Sequence, residues 1–127
     1  MSEIEKAKKV VESHEQFVAA GDVPGVLSNM ADEVVVLAPD TPLVEGHSAV
    51  RNLYEALFGM GDWEFVHDYS GASESGDLVL LHGVARGTLT PPGQDPSPFA
   101  NNFMIVTRRS TSGATKVLRA AFAPSGE

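Results

Sequence analysis

The stretch "LVEGHSAV", Leu43–Val50, decides how the first half of the chain is read. A β-branched run, "EVVVLA" (Glu33–Ala38), lies upstream, and a helical pattern, "AVRNLYEALF" (Ala49–Phe58), follows. Strand, sharp turn and helix together are the setting of a nucleophile elbow, G-x-S-x-G, which presents its serine from a strained turn. Gly46-His47-Ser48 fits the first three positions, but the fifth is Val50 where a small residue must let helix and strand approach. No acid-then-histidine arrangement downstream completes a triad. The reading that remains is structural: Gly46 makes a turn, and Ser48 or its neighbours begin a helix. Ser48 is not a nucleophile.

Working outward, Ser2 followed by Glu5 is a capping-box signature, in which hydroxyl and carboxylate satisfy backbone donors left free at a helix start. The helix it opens carries Ile4, Ala7, Val11, His14 and Val18 on one stripe, with Val10 and Phe17 beside it. Gly21 ends that helix, and Asp22 caps a short second one with Val26, Leu27 and Met30 as its apolar residues. Pro39–Pro42 is a turn and "LVEG" a brief extended return. The third helix places Val50, Leu53, Tyr54, Leu57 and Phe58 on one face, and "GMGD" stops it. Extended segments follow at Trp63–Tyr69, Leu78–Leu89, Phe99–Arg109 and Lys116–Ala123. Their connections, "SGASESGD", "TPPGQDPSP" and "STSGAT", are rich in turn formers. Helices first and hairpin-linked strands afterwards predict an α+β fold with a curved, mostly antiparallel sheet. No linker or repeat interrupts the pattern, so residues 1–127 read as one domain.

Bulk properties narrow the function. A chain of 127 residues, 43% hydrophobic with a mean hydropathy of -0.05, has the composition of an ordinary globular protein. No apolar run reaches the roughly 20 residues of a membrane span, and "MSEIEKAKK" lacks the apolar core of an export signal. A cytoplasmic location is the expectation. There is no cysteine, which excludes disulfides, thiolate nucleophiles and cysteine zinc sites. The formal charge of -8, with a pI near 4.8, argues against nucleic acid, whose phosphates require a basic footprint. Lys6, Lys8 and Lys9 fall on one helix, and Arg108 and Arg109 at a strand end; both read as solvated surface. The four histidines lack H-x-x-x-H or H-E-x-x-H spacing, and the glycines match neither a phosphate loop nor a dinucleotide fingerprint. No metal and no tightly bound cofactor are expected.

The segment "FVAAGDVPGVLSNMADEVVVLAPDTPLVEGHSAVRNLYEAL" resembles the N-terminal half of the nuclear-transport-factor-2-like superfamily. That group includes ketosteroid isomerases, SnoaL-like polyketide cyclases, limonene epoxide hydrolase and scytalone dehydratase. The "AGD" corner, "ADEVVV" leading into a strand and "EGHSAVR" carry the resemblance, and the later strands fit the second half. It implies a cone-shaped fold: N-terminal helices packed in a strongly curved sheet around a deep apolar pocket. It also implies a homodimer through the outer face of the sheet. Laid on the ketosteroid isomerases, His14 falls where that family has an oxyanion-stabilising tyrosine. Asn101 falls at the second oxyanion donor, and Ala38 where the aspartate base should stand. Alanine cannot accept a proton. Asp40, which shares strand parity with Ala38, is the nearest carboxylate that can take its place.

The residues themselves keep alternatives open. His14 lies on an apolar stripe, which suits both a hydrogen-bonded core histidine and a pocket acid/base. Asn101 shares a face with Phe103 and Ile105, so its amide meets either backbone or ligand. His82 alternates with Leu80 and Val84, while Val79 and Leu81 make the opposite face equally apolar. His67 belongs to the stripe Trp63, Phe65, His67, Tyr69, which suits packing as well as a ligand cage. Helix stripe and strand parity predict a pocket lined by Phe17, Val36, Phe58, Phe103, Leu118 and Phe122, to which the resemblance adds Ala38. Two functions fit. One is an enzyme of isomerase, cyclase or dehydratase type acting on a small hydrophobic, oxygen-bearing molecule, with His14, Asp40, Asn101 and His82 as candidate catalytic groups. The other is a non-catalytic module of the same fold that binds a small ligand or dimerises.

Overall fold

The computed structural model describes residues 1–126. Its elements are α1 (Glu3–Ala19), α2 (Val23–Ser28), β1 (Met30–Leu37), β2 (Val44–Glu45), α3 (Gly46–Gly59), β3 (Asp62–Ser75), β4 (Leu78–Thr90), β5 (Ser97–Arg109) and β6 (Thr115–Pro124). Local chemistry explains the helical half. Ser2 and Glu5 form the full capping box on α1. The Asp22 side chain accepts from the Gly25 amide at the start of α2. Gly21, at φ 66°, makes the corner between them.

The six strands form one sheet in the order β2-β1-β6-β5-β4-β3, antiparallel except for β1 against β6. The helices pack on one face, α1 mainly against β3 and α3 against β1. The core holds Ala7, Val11 and Val18 of α1, Val50 and Tyr54 of α3, and the inward residues Val34, Val36, Leu81, Phe103 and Ile105. This is the α+β arrangement anticipated from the order of elements, in the cone shape that the resemblance implies. Among the described residues no helix is long and apolar enough to cross a membrane.

The inner face of β4 carries Gly83, Ala85 and Gly87, where β3 approaches closely. A Cβ at Gly83 would collide with the Asp68 carbonyl oxygen, and one at Gly87 with that of Glu64. The β3 backbone thus occupies the space that side chains would need, which only glycine permits.

Several boundaries differ from the sequence reading. Met30 begins β1 instead of ending α2. Much of "SGASESGD" is strand, because its Gly and Ser residues continue pairing with β4 as far as Ser75 opposite Leu78. Ser70 is inserted there as a bulge: Tyr69 faces Gly83, and Gly71 faces His82. A second bulge lies in β6, where Arg119 faces Val106 and Val117 faces Thr107, leaving Leu118 as the extra residue. A bulge switches which residues of a strand face inward. Val117 is accordingly buried, and Leu118 lies outside the cavity wall.

Candidate functional site

Inside the cone lies a cavity of about 140 Å³. Its wall is mostly apolar and aromatic, including Val36, Phe58, Trp63, Phe65, Phe99, Phe103 and Phe122. The polar groups in that wall are few: His14, Tyr54, His67 and Asn101, with the Trp63 indole turned away to donate to the Leu57 carbonyl at 2.7 Å. A mostly apolar hollow with a small number of convergent polar groups is the usual form of a small-molecule site.

His67 is the most directed of them. Its Nδ1 lies 2.7 Å from Glu15 Oε2, and its backbone N–H donates to the same oxygen at 2.8 Å. The His67 side chain is 6% exposed and that of Glu15 17%, so carboxylate and ring pair in a dry setting. With Nδ1 held by a carboxylate, the proton of the neutral ring sits there and Nε2 keeps its lone pair. No hydrogen bond occupies Nε2 among the described residues. Burial holds the His67 pKa below its ordinary value while Glu15 pulls the other way. The ring is therefore neutral, and basic, near pH 7.

His14 is half-buried in the cavity wall. Its Nε2 lies 3.1 Å from the Tyr54 hydroxyl, and its Nδ1 is buried without a partner. Burial, aided by nearby His67, pushes its pKa down to about 4. The same burial raises that of Tyr54, which stays a phenol donor. If Nε2 carries the His14 proton, the orphan Nδ1 is a bare acceptor and the Tyr54 O–H is free to point elsewhere. The Asn101 amide has no hydrogen-bond partner among the described residues and shares the cavity wall with these groups. No group of three His, Asp or Glu side chains is arranged to hold a metal ion among the described residues.

Of the candidates read from sequence, His14, Asn101, Val36, Phe58, Phe103 and Phe122 stand in the cavity wall. Five do not. Phe17 packs its ring onto Gly25 and closes the α1–α2 corner, and Leu118 is displaced by its bulge. Ala38 lies beyond the end of β1. Asp40 sits in an exposed turn at φ 54°, a left-handed conformation that Asp tolerates, and is not part of the cavity wall. His82 is exposed on the outer face, over Gly71, because the inward parity of β4 belongs to Val79, Leu81 and Ala85.

Glu15 and Tyr54 were not among the expected site residues. Glu15 had a signal: it follows Val11 by four and precedes Val18 by three, so a lone carboxylate sits at the edge of a buried helical stripe. Tyr54 was legible only as part of the apolar face of α3.

A cone of this topology around an apolar hollow defines the nuclear-transport-factor-2-like class. Within it, the chain belongs to the SnoaL-like domain family, whose model matches residues 10–119. Among solved structures it is similar to a ketosteroid isomerase-like protein from Erwinia carotovora atroseptica, with a TM-score of 0.87 and 17% identity over 98% of this chain and 97% of that one. It is also similar to an NTF2-like protein of unknown function from Pseudomonas putida, with a TM-score of 0.76 and 22% identity over 94% and 84% of the two chains. An NTF2-like protein with a cystatin-like fold from Novosphingobium aromaticivorans gives 0.75 and 15%, over 95% and 80%. At such identities the likeness concerns fold alone. No curated protein sequence matches the chain.

Proposed function

We propose that this protein is an acid/base enzyme that moves a proton on a small hydrophobic molecule carrying a carbonyl or hydroxyl oxygen. The observation that carries the reading is the Glu15–His67 pair, a buried base oriented by a carboxylate, at 2.7 Å, with its free nitrogen in an apolar cavity. In this scheme His67 Nε2 takes a proton from the carbon beside the carbonyl. The charge that develops on oxygen is met by the Asn101 amide and the Tyr54 hydroxyl, and the proton returns from His67 at another position. His14 holds Tyr54 in place through their 3.1 Å contact. Isomerisation, cyclisation and dehydration all begin with such a step.

The test is proton–deuterium exchange. Cyclohexenone incubated with the protein in heavy water is expected to lose its acidic C–H signals faster than in buffer, with a rate proportional to protein. A second reading, a non-catalytic binding module, draws on Ala38 at the place of the usual base. Saturable binding of cyclohexenone without faster exchange would establish that reading in place of the first.

The outer face of the sheet supports a homodimer. Val66 and Met104 are 57% and 50% exposed, on the same face as Leu80, Val84 and Val106. Exposed apolar side chains of that kind, set among His82, Asn102 and the Arg86–Asp68 pair, suit an interface. Light scattering at micromolar concentration should give twice the 13.5 kDa chain mass, and Met104→Glu should return the value to that of one chain. A wild-type protein that is monomeric throughout removes the interface.

A further inference from the structure

The inward rows of the sheet that bound the cavity through Phe65, His67, Ala85, Phe99, Asn101 and Phe103 define what it can hold. Three inward rows cross β3, β4 and β5: Tyr69–Gly83–Phe103, His67–Ala85–Asn101 and Phe65–Gly87–Phe99. In the outer two, β4 contributes glycine and the flanking rings close over it, with centroids 5.9 Å apart for Tyr69 and Phe103 and 6.2 Å for Phe65 and Phe99. The middle row differs. Its two ends are the polar heads of His67 and Asn101, and only the Ala85 methyl separates them. Two strand spacings place their backbones about 10 Å apart. The result is a slot with aromatic rings before and behind, a small floor, and His67 and the unpartnered Asn101 amide in the row between, the His67 ring packed edge-on to Phe103 at 4.7 Å.

Size and charge of the occupant follow. A cavity of about 140 Å³ is close to the roughly 150 Å³ that accommodates one benzene in a protein core. None of the lining residues is Lys, Arg, Asp or Glu, and the Glu15 carboxylate is paired with His67 outside that lining. An anion entering here would be desolvated without a counter-charge, so the site selects against it. The geometry points to an uncharged, one-ring ligand of the phenol or cyclic-enone class, seated over Ala85 with its oxygen on Asn101 and its acidic hydrogen toward His67. Polycyclic and anionic compounds are excluded, and Ala85 is the residue that sets the size limit. The orientation rests on the proton-transfer reading given above; the size and charge limits rest on the cavity alone.

Trp63, the single tryptophan, lines the cavity, so its indole N–H resonance reports binding without regard to turnover. Titration of the full chain with phenol and with cyclohexenone should shift that resonance saturably, with dissociation constants on the order of 0.1–1 mM, as suits ligands of seven heavy atoms. Hydroxybenzoate should bind at least tenfold more weakly, and progesterone should give no saturable shift. Ala85→Val should weaken cyclohexenone at least tenfold. Because that variant can disturb packing, Asn101→Ala provides a second arm: it should weaken phenol about tenfold and leave benzene unchanged.

Progesterone binding as tightly as cyclohexenone, hydroxybenzoate matching phenol, or no saturable shift with any one-ring compound overturns the inference. Binding as described with no deuterium exchange sinks only the proton-transfer reading. Exchange of a polycyclic ketone sinks only the size limit.

Discussion

His67→Gln lowers the rate of proton transfer, as kcat/KM, by about two to four orders of magnitude, the range that a positioned general base contributes. Glutamine can still donate an amide N–H to Glu15 and fills much of the same space, but it cannot accept a proton at neutral pH. The thermal midpoint should therefore move little while turnover falls. Glu15→Gln tests the second half of the pair. Its carboxylate touches no substrate; it fixes the ring and its tautomer, and is a positioning residue. Losing it should slow turnover about tenfold to a hundredfold and displace the pH profile as well. Glu15 raises the His67 pKa against the effect of burial. Without that charge, the acid limb of the rate profile should move to lower pH. A purely structural role for Glu15 would lower stability and leave the midpoint in place. Retention of activity within threefold in His67→Gln would remove His67 from the mechanism.

Acid weakens the fold through His14. Its pKa is about 4 in the folded chain against an ordinary 6.5. Between those values the unfolded chain takes up a proton that the buried ring refuses, so stability falls as pH falls through that window. Above about pH 6.5 the contribution is fully present; below about pH 4 it has gone, at a cost on the order of 3 kcal/mol. His67, also held low by burial, acts in the same direction. Melting followed from pH 7.5 to pH 4.5 should show a midpoint lower by about 10 °C at the acid end. His14→Gln, which retains a partner for Tyr54 and cannot titrate, should remove most of that drop. A wild-type midpoint unchanged over this interval would mean that His14 protonates without resistance. So would an equal drop in the glutamine variant.

Much of this architecture is written in short stretches of chain. Ser2 with Glu5, Asp22 before Pro24, and the three-and-four spacing through Val11 and Val18 determine helices because capping and amphipathic burial act within a few residues. The succession of helices and then turn-separated strands likewise determines an α+β fold with a curved, mostly antiparallel sheet, and the family resemblance supplies its cone shape. Strand parity correctly turns Phe103 inward, since its neighbourhood is regular. The same rule fails at Leu118, because a bulge is imposed by the ladder partner, with Arg119 and Val117 facing consecutive residues of β5. It was silent for His82, whose strand is apolar on both faces, so that only packing against the helices could choose a side. Glu15 and His67 stand 52 residues apart, and no local pattern joins them. Their pairing required α1 to lie across β3 in one orientation. What the sequence by itself determined is therefore the helices, the order of the strands and the apolar faces of the regular elements. What only the tertiary structure decided is which polar groups converge in the hollow, because that depends on bulges, the close approach of β3 at Gly83 and Gly87, and helix docking, all set by contacts between distant residues.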